Sequence, residues 1–253
     1  MNRDAQERAR DVAIEAAREA GKILVGCHRD GSPVLSDAGR DLKIQADRDA
    51  EQAILRHLAT TGYPILAEES GAHGAVCDTG YLWVVDPLDG TINFNRGIPF
   101  FGTSIALLLD GEPVVGVVYD WSHDEMFSAI VGRGCWLNDF PIAVSTISDA
   151  SQAVLATGLP TFRDHDLDSL AAFAADLKRF KKVRMLGSAA LMLAGVAAGR
   201  LDAYQEQDIM LWDVAAGIAL VRGAGGYVSI TPSESHQWGR HVQCSGQSVL
   251  WNG

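Results

Sequence analysis

Positive charge is scarce in this chain. Twenty-one lysines and arginines stand against 32 acidic residues, a formal net charge of -11. No basic run is present to exchange counterions with a phosphate backbone, so a nucleic-acid partner is not expected. Cysteine is scarce too: Cys27, Cys77, Cys135 and Cys244 are far apart and show no C-x-x-C spacing. They read as reduced thiols of a cytoplasmic protein. Long apolar runs are missing. The longest uncharged stretch, Met185 to Gly199, is rich in Ala and Gly and shorter than a membrane span needs; a buried helix is expected there, and no membrane partner. The segment Asn2 to Arg8 mixes charges without an apolar core and does not read as a signal peptide. Repeats, low-complexity tracts and long linkers are also lacking. The 253 residues therefore read as one domain, 1–253, made of two closely packed halves of about 1–145 and 146–253.

What is present centres on Trp83 to Phe94. An apolar, β-rich run from Tyr81 to Val85 delivers Asp86 and Asp89 into a sharp turn. Pro87 fixes φ in that turn, and Gly90 permits a conformation other residues resist. A short helix can begin at Thr91, with free N–H groups suited to an anion. An isolated D-x-x-D-G usually only shapes a turn. Two acids beside an exposed carbonyl and a phosphate-sized nest are also the chemistry of a metal site that handles phosphate.

Around this stretch the pattern mixes helices and strands. Apolar residues at helical spacing predict a helix over Asp4 to Cys27. Asp30 to Gly39 carries loop chemistry, and a second helix follows through Ala50, Ala53, Ile54 and Leu58. Asp47 lies near its start, where a carboxylate commonly caps. Tyr63 to Ala67 reads as a strand ending in Glu68-Glu69. Such a pair is usually solvated; alternatively one of them turns inward to a cation shared with Asp86. Thr103 to Leu109 and Pro113 to Tyr119 flank an Asp110-Gly111 turn, and Glu125 to Val131 and Cys135 to Leu137 continue an antiparallel meander. Strands at Ala153 to Thr157, Val183 to Leu186, Leu201 to Tyr204 and Gly225 to Ser229 are interleaved with helices at Leu167 to Leu177 and Leu211 to Val221. Hairpins without regular βαβ units imply α+β layers. His28, His73 and His123 read as surface residues.

The stretch Asp86-Pro87-Leu88-Asp89-Gly90-Thr91-Ile92-Asn93-Phe94 resembles the signature of the inositol monophosphatase family. Glu68-Glu69, Asp47 and Trp212-Asp213-Val214-Ala215-Ala216-Gly217 agree with it, so the likeness runs from the second helix to the last strand. The resemblance implies a layered α/β/α/β/α sandwich, of the kind shared with fructose-1,6-bisphosphatase. It implies a Mg2+-dependent, Li+-sensitive phosphomonoesterase and a homodimer. Glu68, Asp86 and the Leu88 carbonyl would hold one Mg2+, and Asp86, Asp89 and Asp213 a second. Glu68 would help with a weaker third. Ions of this kind about 4 Å apart clamp the attacking and leaving oxygens at phosphorus. Glu68 and Thr91 would orient the attacking water, with Asp47 bonded to Thr91, and the N–H groups of Gly90 and Thr91 would hold phosphate oxygens. Glu206 would meet ring hydroxyls, with Ser188 and Ala189 on the opposite wall. Oxygen-only ligands suit Mg2+, and no His or Cys in these motifs suggests zinc.

The chain departs from the family pattern at Ile44 and Gln45, at Ile92, and in having no lysine between Ser32 and Arg40. None of these touches an expected ligand, but they leave the substrate open. The leading reading is hydrolysis of inositol monophosphate or a similar polyol phosphate. Fructose-1,6-bisphosphatase, histidinol-phosphatase and nucleotide 3′-phosphatase activities are alternatives within the same chemistry, and a non-catalytic regulatory binding protein is an alternative outside it.

Overall fold

Alanine at small-residue spacing makes the first helix. Ala9, Ala13, Ala16, Ala17, Ala20 and Leu24 are all buried along one face, and short side chains let that face lie close on a sheet. A computed structural model describes residues 3–30, 33–38, 41–77, 79–159 and 167–251. In chain order the first half contains α1 (Arg3–Asp30), β1 (Val34–Ala38), β2 (Asp41–Ile44), α2 (Gln45–Leu58), β3 (Ile65–Ala67), β4 (Gly71–His73), β5 (Tyr81–Asp89), α3 (Thr91–Arg96), β6 (Gly102–Leu109), β7 (Glu112–Asp120), β8 (Glu125–Ile130), β9 (Gly134–Leu137) and β10 (Phe140–Pro141). The second contains β11 (Val154–Thr157), α4 (Leu167–Leu177), β12 (Lys182–Arg184), α5 (Ala189–Ala197), β13 (Ala203–Met210), α6 (Leu211–Gly223), β14 (Tyr227–Pro232) and β15 (Gly239–Ser245).

Strands β3 to β10 form an eight-stranded sheet in the order β10-β9-β8-β7-β6-β5-β3-β4. A five-stranded sheet has the order β12-β11-β13-β15-β14. Period-two alternation decides how these layers stack. Trp83, Val85, Ile105, Leu107, Val115 and Val117 point to one side of the large sheet and share a core with α1 and α2. Leu82, Val84, Ala106, Leu108 and Val118 point to the other side. There they share a core with α5 and α6, and with Tyr204, Val242 and Cys244 of the small sheet. On the far side of the small sheet, Leu155 and Ala203 pack with Phe180, Leu250 and Leu177 at the end of α4. The result is the layered α/β/α/β/α arrangement of an α+β protein. Burying one Leu or Val in these cores contributes about 2 kcal/mol, and the helix pair between the sheets is buried along most of its length.

The structure revises several sequence-level boundaries. The central strand runs on through the turn chemistry to Asp89. Ser36 to Ala38, expected as loop, belong to β1, which pairs antiparallel with β2. The strand expected at Leu201 to Tyr204 is β13, which extends through the polar run Gln205 to Asp208 to Met210. The buried helix lies within Met185 to Gly199 but starts only at Ala189, after Gly187 adopts φ +80 and Ser188 caps α5. The β6–β7 hairpin turns at Asp110 and Gly111, both at positive φ (51 and 81), as a type I′ turn requires. No helix among the described residues is long and apolar enough to cross a membrane. His28, His73 and His123 are exposed, and all four cysteines are free.

Candidate active site

The site forms where β5 leaves the sheet. Asp86 pairs with Ser104 and Asp89 with Gly102, so three steps along β5 oppose two along β6. That bulge turns the strand end away from regular pairing. The Pro87 carbonyl accepts the Thr103 hydroxyl at 2.9 Å, and the Leu88 N–H is donated to Asp86 Oδ1 at 2.9 Å. Gly90 then takes φ +95 as α3 begins. A Cβ there would meet the Phe100 and Gly187 carbonyls at 3.1 and 3.2 Å, so both conformation and space call for glycine.

Two other elements bring their ends to the same point. Strand β13 runs directly into α6, placing Asp213 in that helix's first turn. The Ser104 hydroxyl, opposite Asp86, donates to the Trp212 carbonyl at 2.9 Å and ties α6 to the large sheet. Helix α5 presents its start to Asp89, whose Oδ2 accepts the Ser188 hydroxyl at 2.7 Å and the Ala190 N–H at 2.6 Å. Asp86, Asp89 and Asp213 thereby bring oxygens within 4.8 Å of one another. Glu68 follows β3, its N–H on the Val85 carbonyl at 3.1 Å, and its side chain hydrogen-bonds Asp86.

Four carboxyl groups so placed repel one another. Burial, then the charges of Glu68, Asp89 and Asp213, hold the Asp86 carboxyl well above the usual range. Asp213 is raised well above it by burial and by Asp89, Glu68 and Glu206. Asp89 is pushed up to about 6 by burial, against the lowering effect of its bonds from Ser188 and Ala190. Convergent, oxygen-only donors, Asp86 buried and Asp89 and Asp213 half-buried, that cost energy when ionised fit a hard divalent cation, whose charge would remove the repulsion.

Glu206 on β13 is 8% exposed and accepts the Tyr204 hydroxyl on Oε2 at 2.9 Å. Burial pushes it up to about 7; the Tyr204 bond opposes this and the Asp89 charge adds to it. The buried Ala189 lies between Ser188 and Ala190 at the start of α5.

Three contacts differ from those the sequence resemblance implied. Asp47 does not bond Thr91; its Oδ2 accepts the Ile44 N–H at 3.0 Å, because the start of α2 needs an acceptor there. The Thr91 hydroxyl instead donates to the Leu88 carbonyl at 3.1 Å, the oxygen expected on a metal. Ser188, expected on a substrate wall, has its hydroxyl on Asp89 and also accepts the Leu191 N–H at 3.3 Å.

One contributor escaped the sequence reading. Glu51 on α2 is 3% exposed, and its Oε2 accepts the Glu69 N–H at 2.9 Å, fixing the turn that carries Glu68. A glutamate amid Ala50, Ala53 and Ile54, one helical turn after Asp47, was the available signal.

The comparisons agree with this geometry. A model of the inositol monophosphatase family matches residues 5–248. Inositol-1-monophosphatase of Mesorhizobium japonicum is 41% identical over 228 residues, covering 87% of this chain and 84% of that protein. A protein named Nus factor SuhB, from Xylella fastidiosa, is likewise 41% identical over 228 residues, 88% of this chain and 82% of its own. The solved inositol monophosphatase from Anabaena superposes with a TM-score of 0.83 at 38% identity, covering 97% of this chain and 93% of that one. Fold, carboxylate cluster and likeness together define an enzyme of the phosphatase class. The chain belongs to the inositol monophosphatase family.

Proposed function

We propose that the chain hydrolyses phosphate monoesters of polyols, with inositol monophosphate as the leading substrate, using Mg2+ held by Glu68, Asp86, Asp89, Asp213 and the Leu88 carbonyl. The observation that carries this reading is the convergence of Asp86, Asp89 and Asp213 within 4.8 Å, with Glu206 close enough for its charge to raise Asp213. Bound ions would supply Lewis-acid charge to the phosphoryl oxygens and acidify water.

The chain's own groups do the rest. Glu68 is bonded to Asp86 and is the carboxylate to receive a proton from attacking water. Thr91 would assist by turning its hydroxyl from the Leu88 carbonyl toward that water, while Asp47 would act only indirectly, by fixing the start of α2 through the Ile44 N–H. The first N–H groups of α3, from Gly90 and Thr91, are not needed by the helix and suit phosphate oxygens. Glu206, an acceptor when ionised, suits the hydroxyls of a polyol. Ala189 would pack against the ring, while Ser188 acts on Asp89. The same reading carries with it the homodimer and the Li+ sensitivity that the sequence resemblance implies, and the cytoplasmic location that the cysteines suggest.

The test is phosphate release from inositol monophosphate, fructose 1,6-bisphosphate, histidinol phosphate and a nucleoside 3′-phosphate, each with Mg2+ and with EDTA. Inositol monophosphate is expected to turn over fastest, and only with Mg2+. Release that persists in EDTA, or a different preferred ester, would overturn the respective half of the reading. The relatives named Nus factor support a second, regulatory role beside catalysis. Such a role would survive in a variant whose phosphatase activity has been removed at Asp213.

A further inference from the structure

Strand β11 ends at Thr157, paired in parallel with Gln205 of β13. The Thr157 hydroxyl, fully buried, donates to the Gln205 carbonyl at 2.7 Å. This clamp sets Gly158 directly beside Glu206. A Cβ built on Gly158 would have Glu206 Oε2 at 2.5 Å and Glu206 Cδ at 2.7 Å, with Oε1 as the third near atom. All three of the nearest atoms belong to that one carboxyl group. The Glu206 carboxylate therefore turns both oxygens toward Gly158, into space that any side chain at 158 would fill.

We propose that Gly158 is a specificity-determining residue, which by lacking a side chain leaves the Glu206 carboxylate where it faces the hydroxyls of a polyol phosphate. The inference rests on the polyol reading of Glu206 given above. The carboxylate has little freedom to escape. Past Glu206 the β13–β15 register breaks until Ile209. In that bulge Asp208 takes φ +57, takes the Ser233 hydroxyl on its carboxylate and gives its N–H to His241 Nδ1 at 3.3 Å. The backbone is thus pinned on both sides of Glu206, by Thr157 and by Asp208, and only side-chain torsions remain free. Turning them would break the bond from the Tyr204 hydroxyl and move the acceptor that a substrate hydroxyl would use. Gly158 is not among the positive-φ glycines, so alanine there brings no backbone strain and acts by bulk alone.

The experiment compares wild type, Gly158→Ala and Glu206→Gln on inositol monophosphate and on p-nitrophenyl phosphate, which has no ring hydroxyl. Displacing a charged acceptor should lower kcat/KM for inositol monophosphate by about 10- to 100-fold, chiefly through KM. The aryl ester should change less than about twofold, and calorimetric Mg2+ affinity should stay as in wild type. Glu206→Gln should lose the same discrimination. Equal losses on both esters, or full retention of the inositol preference, would overturn the role of Gly158. A wild type without any inositol preference would remove the polyol reading itself, and this role with it. Should Gly158→Ala fold poorly, the double variant G158A/E206D decides. Its shorter carboxylate clears the methyl, so folding recovers if Glu206 is the obstacle and stays poor if it is not.

Discussion

Asp89 and Ser188, far apart in sequence, meet in a 2.7 Å hydrogen bond that joins the end of the central strand to the start of a helix in the other half of the chain. One hydroxyl serves both partners, since Ser188 also accepts the Leu191 N–H at 3.3 Å as the cap of α5. Ser188→Ala should therefore cost about 1 kcal/mol of stability through the lost cap. It should also weaken Mg2+ binding several-fold by freeing one side of Asp89. Denaturant unfolding reads the first effect and calorimetric titration the second. A variant less stable but unchanged in Mg2+ affinity would confine Ser188 to capping.

Glu51 offers a separate test of how the Glu68 turn is held. Alanine at 51 removes the acceptor that the Glu69 N–H has at 2.9 Å, a loss of about 1 kcal/mol for a part-buried hydrogen bond. Glutamine keeps an acceptor oxygen on a side chain of the same length. Glu51→Ala should lower both stability and Mg2+ affinity, and Glu51→Gln should restore most of both. If glutamine proves as damaging as alanine, the negative charge of Glu51 matters more than its hydrogen bond.

The raised carboxyl groups set a sign for pH dependence. Asp89 is pushed up to about 6 from its ordinary 3.8, so between those values the folded state holds a proton that the unfolded state has lost. Stability must then fall as pH rises through this window, and the loss is complete above the folded value. Asp86 and Asp213, also raised, act in the same direction. Asp89 is partly open to solvent, so its share is about 2 kcal/mol, not the roughly 3 that two full pKa units would give. In EDTA the thermal midpoint should drop between pH 5 and neutrality, and excess Mg2+ should restore it at neutral pH far more than at pH 5. A midpoint that climbs with pH in EDTA would show that the carboxyl groups do not repel as placed.

Local chemistry made part of this site legible in advance. Pro87 and Gly90 announce a turn with an acid on either side. The alanine face of α1 and the Asp110-Gly111 hairpin follow from spacing and backbone preference. What stayed hidden was polar residues inside regular structure. Gln205 to Asp208 did not look like strand because these side chains serve a site and a bulge, not a core. Glu206, expected at the substrate, is buried against Gly158, and Glu51 against Glu69; neither partner follows from spacing. The Ser188 hydroxyl found an acceptor in the other half of the chain, where no spacing rule reaches, while the Thr91 hydroxyl turned back on the carbonyl three residues before it. Periodicity reports which face is apolar, and says nothing of buried polar groups satisfied across the chain.

Asp213 allows stability and function to be driven in opposite directions. Its carboxyl is raised by burial first and then by the charges of Asp89, Glu68 and Glu206, so in the cation-free protein it adds repulsion to a buried cluster. Asp213→Asn keeps the shape and removes one charge. At neutral pH in EDTA the variant should be more stable than wild type by about 1–2 kcal/mol, because a like charge has been taken from the group. With Mg2+ the order should reverse, since wild type gains binding energy that the variant forgoes. Phosphate release should fall by more than about 100-fold, as expected when a ligand itself is lost and not merely its support. Unfolding curves with and without Mg2+, measured beside turnover, test all three outcomes on one pair of proteins. A variant destabilised in EDTA would mean that Asp213 serves the fold before any cation, and the cluster would then be a structural network in place of a metal site.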